Sequence, residues 1–171
     1  MTARAFVALF PGQGSQFVGM GRSLYEANPR ARDVYERSDR ALGFPLSKLA
    51  FEGPESALVL THNAQPALLT HSLAVLAALG ETGFSPVAAA GHSLGEYSAY
   101  VAAGSFSIED AVKLVRRRGE LMYEAGRSRP GTMAAVLGLA VEAAEEICRG
   151  AASAGIVVPA NLNSPGQIVI S

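Results

Sequence analysis

Residues 87–104, VAAAGHSLGEYSAYVAAG, join an apolar run to a helical pattern through one serine that lies between two glycines. Within this stretch, residues 91–95 have the form G-x-S-x-G, in which a sharp strand-to-helix turn exposes the serine hydroxyl. The first amides of the following helix point into the same space and can stabilise an oxyanion. The stretch therefore predicts a strand, a nucleophile at Ser93 and a helix, in that order.

The composition argues against several classes of function. The 171 residues are 49% hydrophobic and 17% charged, and the net charge of −1 creates no field that would attract nucleic acid or an anionic membrane. No apolar run reaches the roughly 18 residues of a membrane span. The single cysteine cannot form an internal disulfide and the N-terminus lacks the apolar core of a signal peptide, so we expect a cytoplasmic protein.

The elements around the serine predict an α/β fold. Residues 5–10, AFVALF, form an uninterrupted apolar run, which is typical of a strand covered on both faces in a parallel sheet. Helical patterns follow near 20–27, near 29–41 and after Gln65-Pro66, and the apolar run at 87–90 then leads into the serine turn. This alternation of strands and helices implies a parallel sheet.

The loop after the first strand, residues 11–16, reads PGQGSQ and places Gln13 between two glycines. Glycine allows the backbone to approach a ligand closely, with amides free to donate. A tight connecting loop would have the same composition. The residues alone therefore leave both interpretations open.

A helix predicted from Ser107 to about Ala125 carries an arginine on its apolar face. At 100° per residue, Arg118 falls in the middle of that face. The other members of the face are Ala111, Leu114, Val115 and Met122. A guanidinium in such a position needs an anion, because an unpaired buried charge costs several kcal/mol. A ligand and an acidic side chain would serve equally well, and periodicity does not choose between them.

The character of the sequence changes past residues 126–131, a loop that contains Pro130. The predicted elements that follow are a strand at 132–137, a helix at 141–152, a strand at 156–160, a turn at 163–166 and a strand at 167–170. This β-α-β-β order is the first part of a split βαβ unit of ferredoxin-like type, which closes with a further helix and strand. We therefore expect the chain to be part of a longer protein.

Six ordered segments resemble the malonyl-CoA:acyl carrier protein transacylases, the discrete acyltransferases of bacterial fatty acid synthesis. They are FPGQGSQFVGMG at 10–21, QPALLTHS at 65–72, AGHSLGEYSAYVAAG at 90–104, RRRGELM at 116–122, GTMAAVLGL at 131–139 and NLNSPGQIVIS at 161–171. A lone G-x-S-x-G is shared by lipases and esterases, whereas the six segments cover the whole chain in consistent order. The resemblance implies an α/β-hydrolase-like acyltransferase subdomain at 1–127 and an incomplete ferredoxin-like subdomain at 128–171.

The resemblance also implies roles for individual residues. Ser93 would be the nucleophile, and the backbone amides of Gln13 and Leu94 would form the oxyanion hole. Arg118 would bind the free carboxylate of a malonyl group, because a guanidinium matches a planar carboxylate. Two further candidates for the lining of the substrate cleft are His92 and Asn163. No metal or other cofactor is implied.

The implied reaction is ping-pong acyl transfer. Ser93 attacks the thioester of malonyl-CoA, coenzyme A leaves, and the phosphopantetheine thiol of acyl carrier protein then takes the malonyl group. The family's general base is a histidine beyond the small subdomain, and none of the three histidines present matches its position. They are His62, His71 and His92. We therefore expect the 171-residue chain alone to be an incomplete catalyst.

Three alternatives stay open at this point. The chain could be an acyltransferase domain fragment of a polyketide or fatty acid synthase, an inactive fragment that binds acyl carrier protein, or a serine hydrolase that uses water. Arg118 argues against the hydrolase, because an enzyme that acts on neutral esters has no use for a carboxylate-binding side chain.

Overall fold

The computed structural model describes residues 4–171, and the chain divides into two compact units. The first unit ends at Ala125, and the second covers Gly126–Ser171. Both units contain helices and strands, which confirms the predicted α/β class. Across the described residues, every helix is too short or too polar to cross a membrane.

Two parallel strands form the sheet of the first unit. They are β1 (Arg4–Phe10) and β2 (Phe84–Gly91). Phe10 pairs with Gly91, so that both strands end at the same edge of the sheet. Parallel strands need a long crossover connection, and helices supply it here. The predicted parallel arrangement is therefore confirmed.

One face of β1 is buried and the other is exposed. Ala8 and Phe10 are buried, whereas Val7 and Leu9 are 58% and 76% exposed. Successive side chains of a strand point to opposite faces, so the two pairs lie on different sides of the sheet. The prediction that this strand is covered on both faces is wrong for this structure, because the described helices bury only alternate side chains of β1.

The crossover between the two strands consists of helices. They are α1 (Arg22–Ala27), α2 (Pro29–Leu42), α3 (Leu46–Glu52), α4 (Glu55–Leu58) and α5 (Thr61–Glu81). Asn28 caps α2, because its side-chain oxygen accepts a hydrogen bond from the amide of Ala31 at 2.9 Å. The hydrophobic core of the unit lies among these helices. Its largest fully buried members include Met20, Tyr35, Leu46, Leu58 and Leu69.

Helix α5 begins at Thr61 and contains Pro66 in its second turn, so it starts earlier than the sequence pattern predicts. Proline has no N–H group and cannot bond to the carbonyl four residues before it. In α5 that carbonyl belongs to His62, and it accepts a hydrogen bond from the Arg116 guanidinium at 3.0 Å. The missing backbone hydrogen bond is therefore replaced by a side chain, which allows the helix to continue through Pro66.

Two helices follow β2. They are α6 (Gly95–Ala102) and α7 (Ile108–Ser128). Ser107 caps α7 by accepting a hydrogen bond from the amide of Asp110 at 3.0 Å, as predicted. The buried residues of α7 are Ala111, Val112, Val115 and Gly119. Leu114 and Met122 are 44% and 48% exposed, so the packed face is rotated from the predicted one and Arg118 lies at its edge.

The second unit is a three-stranded antiparallel sheet with one helix among its described residues. Its elements are β3 (Ala134–Leu137), α8 (Val141–Ala151), β4 (Pro159–Ser164) and β5 (Gln167–Ile170). The strand order is β3-β5-β4, with β5 antiparallel to both neighbours. β3 and β4 therefore run parallel to each other with β5 between them. The turn between β4 and β5 is Pro165-Gly166, and the φ of 75° at Gly166 favours glycine there.

Candidate active site

Ser93 lies on a strained turn between β2 and α6. Its φ is 54°, and no other residue except glycine has a positive φ among residues 4–171. The left-handed region costs an L-residue about 1–2 kcal/mol. Neither flanking glycine has space for a side chain. A Cβ at Gly91 would collide with the backbone of Gly95, and a Cβ at Gly95 would collide with the Phe10 carbonyl. The surrounding backbone therefore holds an exposed serine in an unfavourable conformation.

The serine turn lies against the end of β1. The amide of His92 donates to the Phe10 carbonyl at 3.1 Å, one residue beyond the last strand pair. The His92 ring packs on the loop that leaves β1, because a Cβ at Gly12 would be 2.6 Å from its Nδ1. The loop 11–16 is thus next to the serine turn, and a larger residue at position 12 would have to displace the His92 ring.

Two backbone amides in this region are open donors. Leu94 is the N-cap residue of α6, and Gln13 lies in the loop beside the turn. Neither N–H group donates a hydrogen bond to any acceptor within residues 4–171, whereas the neighbouring amide of Gly14 donates to the Gln16 side chain at 2.9 Å. Open amides at a helix N-terminus and in a glycine-rich loop can bind an anion. Their role as an oxyanion hole stays a prediction.

Arg118 contacts the serine directly. Its Nη2 donates to Ser93 Oγ at 3.1 Å, and its Nη1 donates to Gln65 Oε1 at 2.5 Å. The guanidinium carbon lies 5.8 Å from the centre of the Tyr97 ring. Arg118 is therefore oriented by an amide oxygen and an aromatic ring, with one edge of the guanidinium turned to Ser93.

The charge of Arg118 is not neutralised by an acidic side chain of the described residues. The adjacent arginines differ in this respect, because Arg116 and Arg117 both pair with Glu120, at 2.9 and 3.4 Å. Across residues 4–171, no carboxylate lies within 4.0 Å of the Arg118 guanidinium. The acidic partner that periodicity left open is therefore not found among residues 4–171, and the binding of a ligand anion by Arg118 stays a prediction.

A close approach between two helices places Arg118. A Cβ at Gly119 would be 2.5 Å from His62 Cα and 2.8 Å from the Thr61 carbonyl oxygen. Helix α7 therefore packs on the first turn of α5 with no space for a side chain at this point. This contact brings Arg118 within hydrogen-bond distance of Gln65.

Gln65 and Thr61 are site residues that the sequence interpretation missed. The side chain of Gln65 is fully buried, and its Nε2 donates to Thr61 Oγ1 at 2.9 Å and to the Met122 sulfur at 3.3 Å. Thr61 Oγ1 in turn donates to Gln13 Oε1 at 2.8 Å. A glutamine inside an otherwise apolar helical stretch, AQPALL, was the available signal, because a buried amide needs partners.

The histidines outside the serine turn have structural contacts. His62 packs edge-on against the Tyr123 ring at 5.0 Å, and burial together with the nearby Arg116 charge lowers the pKa of His62. His71 Nδ1 lies 3.0 Å from the Tyr35 hydroxyl in the core, where burial lowers the pKa of His71 and raises the pKa of Tyr35. In the described chain, neither His62 nor His71 is hydrogen-bonded to Ser93.

Asn163 belongs to the second unit. It lies in β4, two residues before the Pro165-Gly166 turn, and not in the turn itself as predicted. Its role in a substrate cleft stays a prediction.

Known proteins similar to this chain are acyl transferases. A family model described as the acyl transferase domain matches residues 6–171. A malonyl CoA-acyl carrier protein transacylase of Bacillus subtilis (strain 168) is 55% identical over 164 residues, which are 95% of this chain and 52% of that protein. The chain thus spans about half the length of this relative.

Solved structures show the same relationship. The structure of a malonyl CoA-acyl carrier protein transacylase from Clostridium perfringens matches with a TM-score of 0.91 and 43% identity, over 98% of this chain and 53% of that one. A type II PKS acyl-carrier protein in complex with its malonyl-transacylase also matches, with a TM-score of 0.87 and 42% identity over 98% of this chain and 54% of the other.

Proposed function

Because the chain belongs to the acyl transferase domain family, we propose that it transfers a malonyl group from coenzyme A to the phosphopantetheine thiol of acyl carrier protein through Ser93. The observation that carries this proposal is the 3.1 Å contact between Ser93 Oγ and the guanidinium of Arg118, which has no acidic partner among the described residues. A cation beside the nucleophile selects an acyl group that bears its own negative charge.

The distance between the two groups fits a short diacid. In a malonyl group a single methylene separates the thioester carbonyl from the free carboxylate. A carbonyl attacked by Ser93 therefore keeps its carboxylate close to Arg118, whose Nη2 already lies 3.1 Å from the serine oxygen. A guanidinium binds a carboxylate with two parallel hydrogen bonds, which would displace the present contact with Ser93.

In the first half-reaction, Ser93 Oγ forms a bond to the malonyl carbonyl carbon. The carbonyl oxygen becomes an oxyanion, which the open amides of Gln13 and Leu94 stabilise. The carbon–sulfur bond then breaks, and coenzyme A leaves as its thiol after it receives the proton that the serine lost. In the second half-reaction, the carrier-protein thiol attacks the seryl ester and restores the serine hydroxyl. The proton acceptor in this proposal is the histidine of the family's second half.

The finer features of the fold belong to the same proposal. An α/β-hydrolase-like subdomain at 1–127 is supported by the strained serine between a parallel strand and a helix. A ferredoxin-like subdomain at 128–171 is supported by the strand order β3-β5-β4. His92 lines the substrate cleft in this proposal. The names of the relatives, which mention malonyl-CoA and acyl carrier protein, support both substrates.

The test compares acylation of Ser93 by malonyl-CoA and by acetyl-CoA in the full-length protein. We expect Arg118→Ala to slow malonyl transfer about 10- to 100-fold, because a hydrogen-bonded charge pair contributes about 1.5–3 kcal/mol. An acetyl group has no free carboxylate for Arg118 to bind, so acetyl transfer should slow less and the malonyl-to-acetyl rate ratio should fall. Arg117→Ala is the matched control, since Arg117 is exposed and pairs with Glu120. Equal losses for both substrates in Arg118→Ala would remove Arg118 from substrate recognition.

A further inference from the structure

A chain of side-chain hydrogen bonds connects the arginine to the glycine-rich loop. Arg118 donates to Gln65 Oε1, Gln65 Nε2 donates to Thr61 Oγ1, and the Thr61 hydroxyl donates to Gln13 Oε1. Every link points in the same direction, from the guanidinium to the loop. Hydrogen bonds in such a series polarise one another and fix the orientation of each group.

The environment of Gln65 allows only one arrangement of its amide. The side chain is fully buried, its oxygen faces a cation, and its nitrogen faces the Thr61 oxygen and the Met122 sulfur. Because Thr61 Oγ1 accepts from Gln65, its own proton is directed to another acceptor. That acceptor is the side chain of Gln13, an exposed residue of the loop 11–16.

Gln13 has two separate groups with separate tasks. Its backbone amide is an open donor beside the serine turn, whereas its side-chain oxygen is held by Thr61 at 2.8 Å. The backbone on either side of it contains glycines, and Gly14 has a φ of 112°. A loop that contains glycines can adopt more conformations, so a side-chain contact is needed to hold the Gln13 amide in one position.

We propose that Thr61 is a positioning residue for acyl transfer, which holds the amide of Gln13 in place through the Gln13 side chain. This inference rests on the proposed function for the reaction that it affects. Thr61 does not touch the acyl group, and the task is separate from carboxylate recognition by Arg118. Removing the hydroxyl therefore impairs oxyanion stabilisation for every acyl group, whether or not it carries a carboxylate.

The test uses Thr61→Val, Thr61→Ser and Gln13→Leu in the full-length protein. Valine keeps the shape of threonine without its hydroxyl, serine keeps the hydroxyl, and leucine keeps the Gln13 backbone amide while it removes the acceptor. We expect Thr61→Val and Gln13→Leu each to lower kcat about 3- to 10-fold with malonyl-CoA and with acetyl-CoA, the range of one neutral hydrogen bond, while KM stays unchanged. Thr61→Ser should keep the wild-type kcat.

The double variant identifies the contact itself. Both substitutions remove the Thr61–Gln13 hydrogen bond, so adding Gln13→Leu to Thr61→Val should cause no further loss. Losses that multiply, or a loss confined to malonyl-CoA, would overturn the inference and assign Thr61 to the support of Arg118. Gln13 is on the surface, so Gln13→Leu remains informative even where Thr61→Val fails to fold.

Amide hydrogen exchange gives a measurement that does not depend on the reaction. We expect faster exchange across residues 11–16 in Thr61→Val and Gln13→Leu than in the wild type and Thr61→Ser. Unchanged exchange in this loop would contradict the positioning role even if all variants transfer acyl groups. If exchange is faster in these two variants but the wild-type protein transfers no acyl group, the proposed function is contradicted and the positioning role stays in place.

Discussion

Substitution of Ser93 by glycine and by alanine measures the backbone strain of the serine turn. Both substitutions remove the hydroxyl and its contact with Arg118, so these losses cancel in the comparison. The variants differ in one respect, since alanine keeps the Cβ that makes a φ of 54° unfavourable and glycine does not. The comparison therefore isolates the backbone conformation.

The expected magnitude follows from two opposing effects. Relief of the left-handed conformation favours glycine by about 1–2 kcal/mol. The greater freedom of glycine in the unfolded chain favours alanine by about 0.4–1 kcal/mol. We therefore expect Ser93→Gly to have the larger free energy of unfolding, by about 0.8 kcal/mol at the midpoints of the two ranges.

Urea unfolding of the two variants gives this difference, and the same pair of substitutions at Lys113 is the control. Lys113 is exposed in the second turn of α7, where an ordinary helical conformation makes glycine about 1 kcal/mol less stable than alanine. The order of stability should thus reverse between the two positions. If alanine is the more stable variant at both, the serine turn is not strained and the reasoning fails.

Two further predictions concern the elements that hold the site. Gly119→Ala should lower the free energy of unfolding in urea by about 1–3 kcal/mol and lower the malonyl-to-acetyl rate ratio, because the new Cβ meets the backbone of α5 and displaces Arg118. Gly126→Ala is the control, because a Cβ at this position of the same helix has nothing within 4 Å, and it should be neutral or stabilising. Equal effects of the two substitutions would contradict close packing at Gly119. For His71, the lowered pKa means that the unfolded chain binds the proton more readily, so the free energy of unfolding falls as the pH drops below about 6.5. His71→Gln should flatten this slope in urea unfolding between about pH 7.5 and 5.5, and an unchanged slope would contradict burial as its cause.

Local patterns were sufficient to predict the serine turn. The sequence G-x-S-x-G between an apolar run and a helical pattern predicted the strand β2, the exposed serine and the helix α6. This prediction succeeded because the pattern lies within a few turns of chain. A parallel sheet followed from the order of the strands and helices. Helical periodicity identified Arg118 but placed it in the middle of the packed face, whereas it lies at the edge.

Contacts between distant residues could not be predicted in this way. Gln65 became a candidate only when the structure placed it against Arg118, and that placement depends on the close approach of two helices at Gly119. Helix α5 can begin before Pro66 because Arg116, from another helix, donates a hydrogen bond to the His62 carbonyl, for which proline has no N–H group. In both cases the decisive partner lies more than 50 residues away along the chain.

The exposed face of β1 shows a second reason for error. An apolar run predicts burial, but Val7 and Leu9 are largely exposed among the described residues. Whether a strand face is covered depends on what packs over it, and hydrophobicity alone does not identify that partner.

The most direct test of the proposed function is the rate of Ser93 acylation by malonyl-CoA divided by the rate with acetyl-CoA, measured by intact mass in wild type and in Arg118→Ala. We predict that this ratio falls about 10- to 100-fold in the variant, and that Ser93→Ala forms no acyl adduct at all. A ratio that Arg118→Ala leaves unchanged would contradict recognition of the carboxylate by Arg118, and an adduct that persists in Ser93→Ala would contradict Ser93 as the nucleophile.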